Sequence, residues 1–179
     1  MSAKHLIAIP LPAKESGEIA QIYRQHCGDR APRRIGPHIT LIYPFRVDVG
    51  KLPLVNSILA EAAAAVDPLA IELDGIDCFE NKEAVIYAKV SPNNGLTILQ
   101  SRLMRQLAPS ITFQGEVFES FHPHVTLAKG LSQKERESLF GELQSLHLRY
   151  RFQCDWFCLY QLNQSHTKWE EMQAFPLSA

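Results

Sequence analysis

Residues 37–41 read PHITL and residues 123–127 read PHVTL, so nearly the same five letters occur twice in this 179-residue sequence. Ile, Val and Thr in such short apolar stretches are typical of β-strands. Side chains two residues apart in a strand point to the same face. The His and Thr of each stretch therefore share one face, and the apolar residues share the other. The two stretches predict two matching strands, each with one side to bury and one polar side to present.

The order of the predicted elements around these strands also repeats. Strand, helix, strand, helix, strand occurs in residues 1–80 and again in residues 84–179, with one of the two stretches at the same place in each half. We therefore predict a single domain over residues 1–179 that consists of two related halves. The expected strands are residues 5–11, 37–43, 69–79, 84–90, 122–129, 146–162 and 168–175, the expected helices are 13–27, 53–66, 94–107 and 132–143, and turns are expected at 80–83 and around 163–167.

Mixed helices and strands with antiparallel pairing indicate the fold class. We expect an α+β fold of two pseudo-symmetric lobes, each an antiparallel sheet flanked by helices, with a central cleft. A doubly wound parallel sheet is the alternative. It ranks second because no glycine-rich phosphate-binding loop follows any predicted strand.

Composition narrows the function classes. A hydrophobic content of 46%, a charged content of 21% and a net charge of −1 indicate an ordinary globular chain and exclude a generally basic nucleic-acid coat. The four cysteines form no Cys-x-x-Cys pair, which favours reduced thiols in a cytoplasmic protein. We expect no membrane span, because no apolar run approaches the roughly 18 residues that a transmembrane helix needs. Pro10 and Pro12 interrupt the first apolar stretch, which argues against a signal peptide.

Two imidazoles that converge from two lobes suit proton transfer at phosphorus. Near neutral pH, His38 and His124 can act as a base and an acid. In-line displacement requires these groups on opposite sides of the phosphorus, since the attacking and leaving oxygens lie about 180° apart. The hydroxyls of Thr40 and Thr126 can donate hydrogen bonds to the non-bridging oxygens. These four residues therefore supply an acid, a base and anion stabilisers without a metal or another cofactor.

At these residues the sequence resembles the 2H phosphoesterase superfamily, which includes LigT-like 2′-5′ RNA ligases and 2′,3′-cyclic nucleotide phosphodiesterases. Its motif is a pair of tetrads, each a His, a hydrophobic residue, a Thr or Ser and a second hydrophobic residue. The resemblance implies a bilobal fold and metal-independent opening of a 2′,3′-cyclic phosphate or a related 2′-5′ linkage. It also implies that His38, Thr40, His124 and Thr126 are the catalytic set. We assign water activation to His124 and protonation of the leaving oxygen to His38, although the sequence alone does not distinguish the two roles.

Five residues near the tetrads are candidates for substrate binding. Tyr43, Phe45 and Phe121 can stack on a nucleobase, although core packing is the alternative for each phenylalanine. Lys129 follows the second tetrad, where LigT-like relatives often carry Arg, and can hold a phosphate. Strict alternation places both Tyr43 and Lys129 on the face opposite the preceding histidine, so each requires a bulge or a strand end. Arg34, in the loop before the first tetrad, can steer an anionic substrate.

A metal site has little support in the sequence. His122 and His124 form a His-x-His pair, but no third ligand stands out by its spacing. Three acidic residues, Asp74, Asp77 and Glu119, are candidates to orient an imidazole, and the sequence does not choose among them.

The expected function is hydrolysis of a 2′,3′-cyclic phosphate on a nucleotide or an RNA terminus by a cytoplasmic, monomeric, metal-independent phosphodiesterase. Three alternatives remain open. The first is a 2′-5′ RNA ligase-like reaction that runs the same chemistry in reverse. The second is a nucleotide-binding module with little turnover. The third is hydrolysis of a phosphate ester that is not a nucleotide, because the sequence identifies no pocket for a base.

Overall fold

A computed structural model of the chain describes residues 3–79, 84–115 and 120–178. It confirms the α+β class. In chain order the elements are β1 (Lys4–Pro10), α1 (Ala13–Ile22), β2 (His38–Arg46), α2 (Leu52–Ala64), β3 (Leu69–Cys78), β4 (Ile86–Val90), α3 (Asn94–Leu107), β5 (Thr112–Phe113), β6 (His124–Ala128), α4 (Gln133–Gln144), β7 (Arg149–Cys154), β8 (Trp156–Leu162) and β9 (Trp169–Pro176).

The strands form two antiparallel sheets. The five-stranded sheet has the order β5-β2-β1-β8-β9, and the four-stranded sheet has the order β6-β4-β3-β7. Counted from the tetrad strands, the order β2-β1-β8-β9 corresponds position by position to the order β6-β4-β3-β7. The tetrad strands therefore occupy equivalent places in the two lobes. This equivalence is the pseudo-symmetry that the repeated sequence predicts.

The two sheets exchange strands between the halves of the chain. Strand β3 belongs to the first half but lies in the four-stranded sheet, whereas β8 and β9 belong to the second half and lie in the five-stranded sheet. Each lobe therefore contains residues from both halves. The tetrad strands β2 and β6 pack next to each other where the sheets meet, and helices α2 and α3 also contact each other.

The apolar face of each tetrad strand is buried. Ile39, Leu41, Val125 and Leu127 are at most 1% exposed and lie in one continuous core. Burial of a side chain of this size stabilises a fold by about 1.5–3 kcal/mol. The apolar positions of both tetrads thus fix the strands, and their polar positions remain at the surface between the lobes.

The local signals for the helices are confirmed at α3 and α4. Helix α3 has the expected bounds, and the Asn93 side chain accepts a hydrogen bond from the Leu96 backbone N–H at its start. Ser132 and Glu135 form the expected capping box of α4. Three local features differ from the prediction. The stretch expected as one strand over residues 146–162 consists of β7, in the four-stranded sheet, and β8, in the five-stranded sheet. The first helix continues from α1 as a π-helix over Tyr23–Cys27, and the two-residue strand β5 was not expected. The turn expected at residues 80–83 lies outside the described residues.

Candidate active site

The two tetrad histidines are held by matching hydrogen bonds. Nδ1 of His38 lies 2.8 Å from the carbonyl oxygen of Gly36, and Nδ1 of His124 lies 2.8 Å from the carbonyl oxygen of His122. A carbonyl oxygen only accepts, so each Nδ1 carries a proton and donates it. In the neutral ring this leaves the lone pair on Nε2. Both imidazoles therefore present the nitrogen that can exchange a proton with a substrate.

A β-bulge interrupts the first tetrad strand at Leu41. Thr40 pairs with Ala8 of β1, and Ile42 pairs with the adjacent Ile7, so Leu41 is one extra residue in β2. Leu41 and Ile42 are consecutive and both are buried. An extra residue of this kind shifts the alternation of faces by one position.

The second tetrad strand contains an equivalent bulge at Leu127. Thr126 pairs with Tyr87 of β4, and Ala128 pairs with the adjacent Ile86, which leaves Leu127 as the extra residue. Leu127 and Ala128 are again consecutive and buried. The repeat therefore extends beyond the sequence motif to an irregularity of the backbone at the same position of both tetrads.

The bulges return two candidate binding residues to the histidine face. Tyr43 and Lys129 each lie five residues after a tetrad histidine. At this odd separation, strict alternation would place their side chains on the face opposite the histidine. One extra residue in each strand reverses that result, and Tyr43 is half-buried while Lys129 is exposed. The geometry of the backbone thus supplies the bulge that substrate binding by these residues requires.

His38 interacts electrostatically with both His124 and Lys129, so the three side chains belong to one site. The pKa of His38 is lowered to about 4, mainly by burial and further by the nearby charges of His124 and Lys129, against the opposing effect of the hydrogen bond to Gly36. Burial is also the main cause that lowers the pKa of His124, followed by the charge of His122. Because His38 lies on β2 and the other two residues belong to β6 and its end, the coupling crosses between the two sheets. Both histidines are half-buried and remain accessible.

Aromatic side chains lie against one side of His124, and neither Phe79 nor Tyr87 was among the residues predicted from the sequence. The ring centroids of Phe79 and Tyr87 lie 5.1 and 5.2 Å from that of His124. Phe79 stacks on Tyr87 with a centroid distance of 4.3 Å. The hydroxyl of Tyr87 also lies 3.1 Å from Nε2 of His122. We call Phe79, Tyr87 and His122 the aromatic wall.

The position of Tyr87 beside the second tetrad could not be predicted from the sequence. Alternation along β4 indicates only that Tyr87 and Lys89 share one face of that strand. The register that brings Tyr87 next to Thr126 comes from the pairing of β4 with β6, and a single sequence does not specify that pairing. Contacts that depend on it could not be found from the spacing of the tetrads.

A segment from the first half of the chain holds the end of the second tetrad strand. The hydroxyl of Tyr23 donates a 2.8 Å hydrogen bond to the carbonyl oxygen of Thr126. Nη1 of Arg30 lies 2.8 Å from the carbonyl oxygen of Gly130, and the backbone N–H of Lys129 donates to the carbonyl oxygen of Arg30 at 3.0 Å. The loop that carries Lys129 is thus fixed by a segment from the first half of the chain.

The prediction that Phe45 binds substrate is wrong. Phe45 is completely buried and stacks on His5 with a centroid distance of 5.7 Å. The register of β2 changes a second time before this residue and cancels the first change, so Phe45 lies on the face opposite His38, as strict alternation predicts. A ring without accessible surface cannot contact a ligand.

Phe121 and Arg34 have different surroundings. Phe121 is half-buried and packs against the core. Arg34 is exposed, and its carbonyl oxygen accepts a 2.8 Å hydrogen bond from the backbone N–H of Trp169. That bond ties the loop before the first tetrad to β9, so the backbone at Arg34 is fixed while its side chain extends into solvent.

The acidic candidates do not contact either imidazole in the described part of the chain. Asp77 pairs with Tyr87 across β3 and β4, and Asp74 lies 3.8 Å from Arg149. Glu119 lies outside the described residues. Over residues 3–79, 84–115 and 120–178, no three His, Cys, Asp or Glu side chains are grouped to hold a metal ion. None of the helices in these ranges is long and apolar enough to span a membrane.

Comparison with known proteins identifies the family. The model of the 2′-5′ RNA ligase superfamily matches residues 10–166, which include both tetrads. The chain belongs to the 2′-5′ RNA ligase superfamily, the 2H phosphoesterases. A superfamily protein of Staphylococcus aureus strain JH1, provisionally named a phosphoesterase, is 29% identical over 171 residues, with 94% of this chain and 96% of the relative covered.

Solved structures show the same fold at lower sequence identity. Escherichia coli LigT in complex with 3′-AMP has a TM-score of 0.73 at 20% identity, with 100% of both chains covered. The protein TT0787 of Thermus thermophilus has a TM-score of 0.71 at 16% identity, with 97% of both chains covered. These matches confirm the bilobal α+β architecture of this superfamily member.

Proposed function

We propose that this phosphoesterase-family protein hydrolyses a 2′,3′-cyclic phosphate on a nucleotide or an RNA end by metal-independent acid–base catalysis with two histidines. One observation carries the proposal. His38 and His124 come from neighbouring strands of different sheets, are held by equivalent Nδ1 hydrogen bonds, and are electrostatically coupled. A phosphate bound between two such rings would have a proton acceptor on one side and a proton donor on the other.

In this mechanism one Nε2 removes a proton from water as the water oxygen attacks phosphorus. The bond from phosphorus to the leaving ribose oxygen breaks, and the second Nε2 gives that oxygen a proton. The hydroxyls of Thr40 and Thr126 donate to the non-bridging oxygens, and Lys129 balances their charge. Each turnover consumes one water and leaves the two imidazoles with their protonation exchanged, after which a proton passes through solvent to restore them.

The pKa values bear on which histidine is the base. At pH 7 both rings of the free protein are neutral, since burial lowers both pKa values. The acid gains its proton when the anionic substrate arrives, because negative charge next to an imidazole raises its pKa. His38, with a pKa of about 4, is the poorer site for that proton. This ordering favours His38 as the base and His124 as the acid, the reverse of the assignment made from the sequence.

A nucleotide or an RNA end is the substrate class that we propose. LigT, which has the same fold, has been crystallised with 3′-AMP and with ATP. The four cysteines are free, and three of them are buried, which suits a reducing compartment such as the cytoplasm. Both histidines come from one chain, so a monomer contains the whole candidate site.

The direct test offers 2′,3′-cyclic nucleotides in the presence of EDTA to the wild-type protein and to His38→Ala and His124→Ala. Turnover is expected to survive chelation and to fall by about 10²–10⁴-fold in each variant. His166→Asn is the control, because His166 is exposed in a turn with φ of +58°, a conformation that Asn tolerates. Loss of wild-type turnover in EDTA would contradict the metal-independent mechanism.

The same assay separates the alternatives. Binding of the nucleotide without turnover would favour a nucleotide-binding module. Ligation differs from hydrolysis only in the nucleophile, a ribose or terminal hydroxyl instead of water. An RNA with a cyclic phosphate end, incubated with a second RNA carrying a free 5′-hydroxyl, would then give a 2′-5′ joined product in place of the opened phosphate.

A further inference from the structure

The two tetrad histidines have the same backbone hydrogen bond but different surroundings. Phe79 and Tyr87 contact the ring of His124, with centroid distances of 5.1 and 5.2 Å. No corresponding aromatic contact to His38 occurs among the residues that the structure describes. The repeated motif therefore does not explain the aromatic wall, whose contacts among the described residues are with His124.

The aromatic wall is connected to His124 by two hydrogen bonds in series. The hydroxyl of Tyr87 lies 3.1 Å from Nε2 of His122, and the carbonyl oxygen of His122 accepts the Nδ1 proton of His124 at 2.8 Å. His122 is exposed and precedes β6, and its ring contacts Phe79 edge-on with a centroid distance of 5.2 Å, so the Tyr87 hydroxyl adds a directional hydrogen bond to that packing. The hydroxyl thus restrains the residue whose carbonyl sets the tautomer of His124.

Tyr87 is itself rigid. Its side chain is 2% exposed, and Phe79 covers one face of the ring at 4.3 Å with an interplanar angle of 30°. Its backbone is paired with Thr126 on one side and with Asp77 on the other. A phenol fixed in this way can hold a neighbour to within the few tenths of an ångström that proton transfer requires.

We propose that Tyr87 is a positioning residue that fixes the tautomer and orientation of His124 through His122. The inference rests on the proposed function for its kinetic consequence, but the restraint on His124 exists without any substrate. The hydroxyl of Tyr87 bonds to His122 and exchanges no proton with the substrate. Its contribution is to keep Nε2 of His124 directed at the phosphate.

Several charged groups face this part of the site and affect its pH dependence. Asp77 and Cys78 of β3 act on Tyr87, and His122 acts on His124 from its own segment. Lys89 of β4 pairs with His124 across the strands. His38 and Lys129, which are coupled to each other, face the site from β2 and the end of β6. A shift in the pH profile is therefore informative only when a single hydroxyl is changed.

The variant Tyr87→Phe makes that change, since it keeps the ring stacked on Phe79 and removes only the oxygen. We expect kcat for a 2′,3′-cyclic nucleotide to fall by about 5–10-fold with KM nearly unchanged, because binding is retained and alignment is lost. Tyr160→Phe is the matched control. Tyr160 is also a buried strand tyrosine, at 7% exposure, but it lies on β8 of the other sheet. Its substitution should leave kcat unchanged.

A second measurement does not depend on turnover. Nitrogen-15 NMR of the histidine rings should show His124 as the Nδ1–H tautomer in the wild-type protein and as a tautomer mixture in Tyr87→Phe, with a changed pKa of His124. Wild-type tautomer and pKa in Tyr87→Phe, or equal loss of kcat in Tyr160→Phe, would overturn the proposal. A wild-type protein that turns over no cyclic phosphate would instead defeat the proposed function, and the NMR result would still decide the role of Tyr87.

Discussion

The charge of Lys129 acts on His38 from the opposite sheet and contributes to the low pKa of that imidazole. Lys129 follows the tetrad strand that carries His124, so the cation next to one tetrad lowers the pKa of the histidine in the other. The bulge at Leu127 makes this possible, because it turns Lys129 to the histidine face. The backbone of Lys129 also bonds to Arg30, which belongs to the first half of the chain. The interaction between Lys129 and His38 therefore links the two repeats at the place where a phosphate would bind.

Replacing Lys129 with methionine should raise the pKa of His38 and weaken phosphate binding. The change removes a positive charge that disfavours protonation of His38 and that would attract the substrate. We expect KM to rise about tenfold or more, the usual effect of losing a hydrogen bond to a charged group. Lys129→Arg should retain most of the affinity. Histidine NMR titration gives the pKa of His38, and steady-state kinetics gives KM.

Lys134→Met is a suitable control for this prediction. Lys134 is exposed near the start of α4, and its substitution makes the same change in net charge away from the tetrads. An unaltered pKa of His38 in Lys129→Met would mean that the two side chains do not meet in solution.

The roles of the two histidines can be separated with a substrate that needs no acid. A nitrophenolate leaving group departs without protonation, so loss of the catalytic acid costs little with a nitrophenyl phosphodiester. If His38 is the base, the kcat of His38→Ala should fall by about 10²-fold or more on both substrates. His124→Ala should lose activity on the cyclic nucleotide and retain most of it on the nitrophenyl ester. The opposite pattern would restore the assignment made from the sequence.

Stability should fall as the pH is lowered from 7 to 5. The pKa of His38 is about 4 in the folded protein, below its ordinary value of 6.5, and that of His124 is also lowered. In the window between these values the unfolded chain binds more protons, so acid favours unfolding. One such histidine changes the free energy of unfolding by at most about 1.4 kcal/mol per pH unit. His38→Gln should flatten this dependence in urea titrations, whereas His166→Asn should not. A full wild-type slope in His38→Gln would exclude His38 as the source.

The sequence predicts the fold and the tetrads because both depend on short-range patterns. Alternation identifies the tetrad strands, and leucines at helical spacing identify α3, which has the bounds that were expected. The apolar residues of the tetrads are as buried as their period of two requires. The central pair His38 and His124 follows from the repetition of the motif alone.

The remaining features depend on strand register, which a single sequence does not encode. The bulges at Leu41 and Leu127 are visible only as pairing with β1 and β4, yet they decide the faces of Tyr43 and Lys129. The exchange of β3 with β8 and β9 between the lobes is likewise a matter of long-range pairing. The error at Phe45 has a different origin, since the two irregularities before it cancel and strict alternation already places that ring on the buried face opposite His38.

Removing the side chain of Arg30 should impair substrate binding more than stability. Arg30 contacts the carbonyl oxygen of Gly130 and the carboxylate of Glu135, and both charged side chains are more than 40% exposed. An exposed ion pair contributes only about 0–1 kcal/mol to folding. The loop that carries Lys129 would nonetheless gain freedom, because one of its two hydrogen bonds to Arg30 is lost. In Arg30→Ala we therefore expect KM to rise by several-fold, with the midpoint of urea unfolding nearly unchanged. Arg33→Ala, which breaks an exposed pair with Asp29 in the same segment, should alter neither quantity. Equal KM values in the two variants would show that Lys129 is positioned without Arg30.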